Sequence, residues 1–298
     1  MLARLQQLWV LVLLTSAGST FAFGLQVGWP AWVCVVSVVA ILNLHAFLLA
    51  IEFGWLLAVD PGPGVTKPSA RTLVAAWWGE VLTGLTVFGW RQPFRSTALP
   101  DLTDAPTGRR GVLMVHGFVC NRGLWNPWMV RLRELRTPYV AVNLEPVFGS
   151  IDRHVQTLDD AVRRLEAATG LAPVIVAHSM GGLAVRAWLR DQSGDARVHS
   201  VVTIGTPHLG TWLARFAVTD NGRQMRQGNP WLARLALSEG PARRALFTCY
   251  FGHCDNIVFP ARNAMLPDAT NRHVPGIAHV HLAFHAPIFE DILSRTTA

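Results

Sequence analysis

Two uncharged apolar stretches dominate the start of the chain. Leu8 to Val27 holds no charged residue, and neither does Ala31 to Ile51. Each is long enough to cross a bilayer as a helix, which takes roughly 20 residues. Gly28-Trp29-Pro30 between them reads as a short turn with an interfacial Trp. Residues 1–60 are therefore expected to form a membrane hairpin, with spans near 8–27 and 31–51. A secretory signal is the rival reading of the first stretch, but the stretch is long for one and a second span follows at once. Asn43 and His45 interrupt the second span and are expected to pair with the first helix. Glu52 ends it and is expected to reach the headgroups. Thr72 to Trp90 is also apolar and Trp-rich, but Gly79, Gly84, Gly89 and a central Glu80 make it a poor span. It is expected to lie at the membrane interface or against the globular domain, as the apolar part of a 61–110 linker.

From Gly111 the pattern changes. Val112–Val115, Tyr139–Val142, Pro173–Ala177, Val198–Ile204, Leu246–Phe251 and His273–Ile277 read as short strands. Leu124–Leu135 and Ile151–Ala168 read as helices, the second with Leu158, Ala161, Val162 and Leu165 on one face. Apolar strands alternating with helices predict an α/β domain over 111–298, its mostly parallel sheet covered on both faces. Pro- and Gly-containing runs at Asp60–Gly64 and Pro100–Gly111 mark its approaches.

Composition agrees with this division. The chain is 51% hydrophobic and only 15% charged, too apolar for a simple soluble protein. Arg4 precedes the first span, and Lys67, Arg71, Arg91 and Arg95 follow the second. The positive-inside rule then places both ends, and the globular domain, in the cytoplasm. The net charge of +7 would draw that domain to anionic headgroups. No nucleic-acid motif accompanies it. Four cysteines are too few for a disulfide scaffold, and Cys249 and Cys254 would pair only in an oxidising compartment.

The chemistry centres on Ala177-His178-Ser179-Met180-Gly181-Gly182, which follows a strand and opens a helix. It matches a G-x-S-x-G turn with Ala177 in the first place. Such a turn exposes a serine hydroxyl and aims the next N–H at a developing oxyanion. His116-Gly117-Phe118 follows the first strand of the domain, so the N–H groups of Phe118 and Met180 are the candidate oxyanion hole. His116 itself reads as structural, and His208 as shaping its loop. After the penultimate strand, Asp255 is the candidate acid, with Asp268 as rival in a turn beside Pro267. After the last strand His279, His281 and His285 compete for the base. The three together would be the alternative of a zinc cluster, set aside because the order serine, acid, histidine already accounts for them.

These landmarks resemble the α/β-hydrolases, and within them the bacterial lipase and PGAP1-like lipase group. The resemblance rests on His116-Gly117-Phe118, the Ser179 turn, Gly205-Thr206-Pro207-His208-x-Gly210, Asp255-x-x-Val258-x-Pro260 and Gly276-x-x-His279-x-x-Leu282. Gln224 to Leu232 also resembles a segment of that group. The resemblance covers about Gly111 to Leu293 and leaves out the membrane hairpin. It implies an α/β-hydrolase fold with Ser179 as nucleophile, Asp255 as orienting acid and His279 as base. It further implies hydrolysis of acyl esters, with lipids the expected substrates and no cofactor required, while the hairpin makes the bilayer the expected partner. An acyltransferase using the same triad, or a catalytically silent membrane binding protein, are the other readings. Residues 211–240, with Trp212, Phe216, Trp231 and Leu235, are read either as an apolar lid or as ordinary helix packing.

Overall fold

A computed structural model describes residues 1–62, 64–104 and 108–297. Pro63 and 105–107, inside the two expected breaks, and Ala298 lie outside the described residues.

Helix α1 (Leu2–Gln26) is followed across a turn at Gly28 by α2 (Ala31–Leu42). The second expected span does not run straight. It continues as α3 (Leu44–Ala58), bent 57° from α2 at Asn43. The Asn43 side chain donates to Val39 O at 2.8 Å, inside its own helix and not to α1 as expected. Such local side-chain bonding competes with regular helix geometry. His45 Nε2 also finds no partner among the described residues. Helix α4 (Ala70–Thr86) is capped by Ser69 and continues through a π-helical turn, Val87–Arg91, to Phe94. Leu73, Ala76, Glu80 and Val81 are buried on one side of it, and Val74, Trp78, Leu82 and Leu85 are exposed on the other. This segment is thus packed on one side against the rest of the chain. It is nevertheless long and apolar enough to cross a membrane, as are α1 and, taken as one bent span, α2 with α3.

The remainder alternates strand and helix: β1 (Val112–Val115), α5 (Asn126–Glu134), β2 (Tyr139–Ala141), α6 (Val155–Thr169), β3 (Val174–His178), α7 (Met180–Gln192), β4 (Ser200–Ile204), α8 (Pro230–Leu237), β5 (Phe247–Phe251), β6 (Thr270–His273), α9 (His279–Leu282) and α10 (Ala286–Ser294). The six strands form one parallel sheet in the order β2-β1-β3-β4-β5-β6. Strand side chains alternate between two buried layers. Leu113, Val115, Ile175 and Ala177 face α6 and α7, whereas Val112, Met114, Val174 and Val176 face α5 and α10. Burial on both faces is why these strands carry no polar alternation.

The last strand departs from the sequence expectation. It spans Thr270–His273 and is largely exposed, whereas 274–277 form a loop. Pro275 has no N–H to donate and Gly276 sits at φ 72°, so the apolar run cannot continue the ladder. As an edge strand, β6 needs no apolar faces of its own.

The order of the strands locates a site. The chain leaves β1 for β2 on one side and returns to β3 on the other. Val115 pairs with Ala177, so the C-terminal ends of β1 and β3 open side by side. Such a switch point leaves a crevice beyond the strand ends, where α/β proteins bind ligands.

Candidate active site

Ser179 stands at that crevice. Its backbone adopts φ 54°, ψ −129°, a conformation that costs a non-glycine residue about 1–3 kcal/mol. The surroundings enforce it. Ser179 N–H donates to Ile204 O at 2.9 Å, and Thr206 Oγ1 donates to Ser179 O at 2.9 Å. Gly181 permits the close approach of helix to strand, since a Cβ there would lie 2.6 Å from His116 O and 2.8 Å from Val115 O. The β1 loop comes equally close, because a Cβ on Gly117 would lie 2.7 Å from that of Ser179. Phe118 is the next residue, and Met180 is the first of α7. Among the described residues neither of their N–H groups has an acceptor in the chain. Both are free donors, and the Met180 N–H also carries the positive end of the helix dipole. Val119 adjoins them at φ 52°, a genuine outlier for a β-branched residue.

Asp255 and His279 meet beside this turn. His279 Nδ1 donates to Asp255 Oδ2 at 2.9 Å. Asp255 Oδ1 accepts from the N–H groups of Ile257 (2.9 Å) and Val258 (2.7 Å). Both side chains are buried. With Nδ1 protonated toward the carboxylate, Nε2 is left as the basic nitrogen. Burial is the largest influence on His279 and lowers its pKa, but Asp255, Glu80 and Glu52 together outweigh it and hold the imidazole above its ordinary value. His178, the neighbour of Ser179, lies against the His279 ring with centroids 4.6 Å apart and planes tilted by 46°, and its Nε2 donates to His279 O at 3.1 Å. Ser179 Oγ itself makes no hydrogen bond to His279 among the described residues. Such bonds are often open before substrate arrives.

A family model described as "Alpha/beta hydrolase family" matches residues 112–294. The chain belongs to the alpha/beta hydrolase family. Solved structures agree on the fold. The mature form of a Bacillus licheniformis lipase superposes with a TM-score of 0.55 at 19% identity, over 65% of this chain and 94% of that one. Lipase B of Aspergillus fumigatus superposes with a TM-score of 0.53 at 19% identity, over 61% and 51% of the two chains. No curated protein matches the sequence.

The other candidates of this hydrolase fall away from the pair. His116 Nδ1 donates to Gly117 O at 2.9 Å and its Nε2 accepts from Leu144 N–H at 3.0 Å. Burial pushes it down to about 4, so it is a neutral strut, as expected. His208 Nε2 lies 3.0 Å from Thr203 Oγ1, and Arg186 donates to His208 O at 3.0 Å, which fixes the loop after β4. Asp268 occupies a turn at φ 61° and pairs with Arg244 at 3.1 Å. His281 rides over Gly79 of α4, and His285 precedes α10. Among the described residues no three His, Cys, Asp or Glu side chains are grouped to hold a metal. All four cysteines are free and buried, so Cys249 and Cys254 do not pair. In 211–240, Met225, Trp231 and Leu235 pack into one core layer and Trp231 Nε1 donates to Asp152. Phe216 and Val218 are exposed, and Trp212 stacks between Phe259 and Trp55 of α3.

Four residues at the site escaped the sequence reading. His178 was visible only as the elbow's variable position. Asn256 follows Asp255, and its Oδ1 accepts from His279 N–H at 3.3 Å. Glu52 does not reach toward headgroups; its Oε2 accepts from Asn256 Nδ2 at 2.6 Å. Glu80 accepts from Val280 N–H (2.8 Å) and His281 N–H (2.9 Å). The one available signal was a lone carboxylate in each apolar helix.

Proposed function

We propose that this alpha/beta hydrolase is a membrane-anchored serine esterase or lipase. One observation carries the reading: Ser179 is held in a strained strand-to-helix turn beside the buried Asp255–His279 pair, next to two N–H groups without an acceptor among the described residues. Ser179 Oγ attacks the acyl carbonyl as His279 Nε2 takes its proton. The N–H groups of Phe118 and Met180 hold the oxyanion, and Asp255 stabilises the imidazolium. His279 then protonates the departing alcohol. Water, deprotonated by His279, releases the acid and restores Ser179. No step calls on a cofactor.

A lipid ester is the proposed substrate. The two superposed structures are both described as lipases, and the motif order resembles the PGAP1-like lipase group. The proposed anchor is the set of N-terminal helices, whose outer faces expose residues such as Trp9, Leu11, Trp32, Phe47, Trp78 and Leu82. Exposed apolar area on this scale marks membrane contact. The proposed side is the cytoplasm. Arg4 favours it, and the bonds of Gln6 and Gln7 to Gln92 and Pro93 beside the hydrolase domain support one and the same side for the N-terminus and that domain. Leu237, 87% exposed, tests this: in Leu237→Cys cells an impermeant maleimide should label only after lysis, and labelling of intact cells would refute it.

Ser179→Ala in detergent-solubilised protein tests the chemistry. It should abolish release of free acid from p-nitrophenyl acyl esters and labelling by a fluorophosphonate. Persistent turnover or labelling would overturn the assignment.

A further inference from the structure

Three consecutive amides at the start of α9 fall under the control of the N-terminal helices. The His279 N–H meets Asn256 Oδ1, and Asn256 is held through its Nδ2 by Glu52 of α3. The next two, on Val280 and His281, end on the two carboxylate oxygens of Glu80 from α4. Glu80 is only 2% exposed. Both oxygens accept, so the group fits as a carboxylate. A helix of four residues has little rigidity of its own. Its first turn is therefore set by side chains some 200 residues away in sequence, and these lie outside the family match at 112–294.

We infer that Glu80 and Glu52 are positioning residues for His279, so that α3 and α4 complete the active site as well as anchor it. The inference rests on the serine hydrolase reading above. Asp255 bonds the base at 2.9 Å and the His178 ring, kept from charging by burial, lies against it, while Glu80 and Glu52, bonded to the amides and to Asn256 beside it, act on it through space. A cap needs only an acceptor, which serine or asparagine provides elsewhere. Carboxylates add negative charge, which favours the imidazolium that forms as Ser179 attacks. They also fix the ring that must meet Ser179, where a displacement near 1 Å costs about 10²-fold in rate.

The test uses the full-length protein in detergent, with a soluble p-nitrophenyl ester. Glu80→Gln keeps the size and one acceptor oxygen but loses the charge. We expect kcat to fall about 10- to 100-fold with KM unchanged. The acid limb of kcat/KM should move to lower pH, because a base with one less negative neighbour is protonated only in more acid solution. Glu52→Gln should shift the limb the same way by less, and it decides the matter if Glu80→Gln does not fold. An acid limb unmoved in the folded variants leaves both residues as structural caps and overturns the inference. Ser179→Ala is measured in parallel. Turnover that survives it removes the hydrolase reading and this inference together, whereas Ser179-dependent turnover with an unmoved limb removes this inference alone.

Discussion

Gly205 offers a sharp test of the site geometry. It follows β4 at φ 56°, and a methyl group added there would lie 2.9 Å from Asp255 Oδ2 and 3.1 Å from His279 Nδ1. Gly205→Ala therefore does two separable things. The left-handed backbone costs an alanine about 1–2 kcal/mol of stability. The methyl also wedges into the acid–base hydrogen bond and must displace one partner by a few tenths of an ångström. Full loss of the orienting carboxylate function costs about 10⁴-fold in the serine protease template, and misplacement near 1 Å about 10². A shift of a few tenths of an ångström lies below that, so we expect kcat to fall about 10- to 100-fold, or ~1.4–2.7 kcal/mol of barrier. Gly170 supplies the control. It sits at φ 69° with nothing within 4 Å of an added Cβ, between α6 and the far end of β3. Gly170→Ala should lose a similar Tm and keep wild-type kcat. Steady-state ester hydrolysis and thermal melting of the two variants read both effects. Wild-type kcat in Gly205→Ala, at a Tm matching the control, would show that the pair is not where this geometry puts it.

Two further outcomes follow from the electrostatics. His279 must be neutral to act as base and is held above its ordinary value of 6.5, so activity should be lost as pH falls through a midpoint above about 6.5; Asp255→Asn should move that midpoint to lower pH and cut kcat by up to about 10⁴-fold, and a pH–rate profile with an unmoved limb would contradict the assignment. Arg186 and Glu239 form a fully buried, two-pronged ion pair at 2.8 and 2.7 Å. Arg186→Met should cost about 3–5 kcal/mol by leaving Glu239 unpaired in the core, and Arg186→Met with Glu239→Met should recover most of it; a double variant no more stable than the single one in thermal melts would refute this.

Much of the hydrolase domain was legible because its signals are local. β1, β3, β4 and β5 are runs of residues that fill both faces of a sheet, and α6 shows its buried stripe at helical spacing. Ser179 stood out because a tight strand-to-helix turn demands small residues at fixed offsets. Asp255 stood out because it follows the penultimate strand, in the order serine, acid, histidine. β6 was misplaced because an edge strand of Thr-Asn-Arg-His carries no apolar pattern, while the Val274–Ile277 loop beside it does.

By itself, then, the sequence determined which segments are long and apolar, the alternation of most strands and helices along the chain, and the residue types available at the strand ends. Those follow from periodicity, turn geometry and residue type, all of which act over a few positions. Tertiary structure alone decided that the second apolar stretch breaks at Asn43, that α4 packs its Glu80 face on α9, and that Glu52 turns inward to Asn256. A carboxylate bound for the headgroups and one bound for a buried amide look the same in a sequence. Only the fold, which brings partners some 200 residues apart into hydrogen-bonding range, tells them apart.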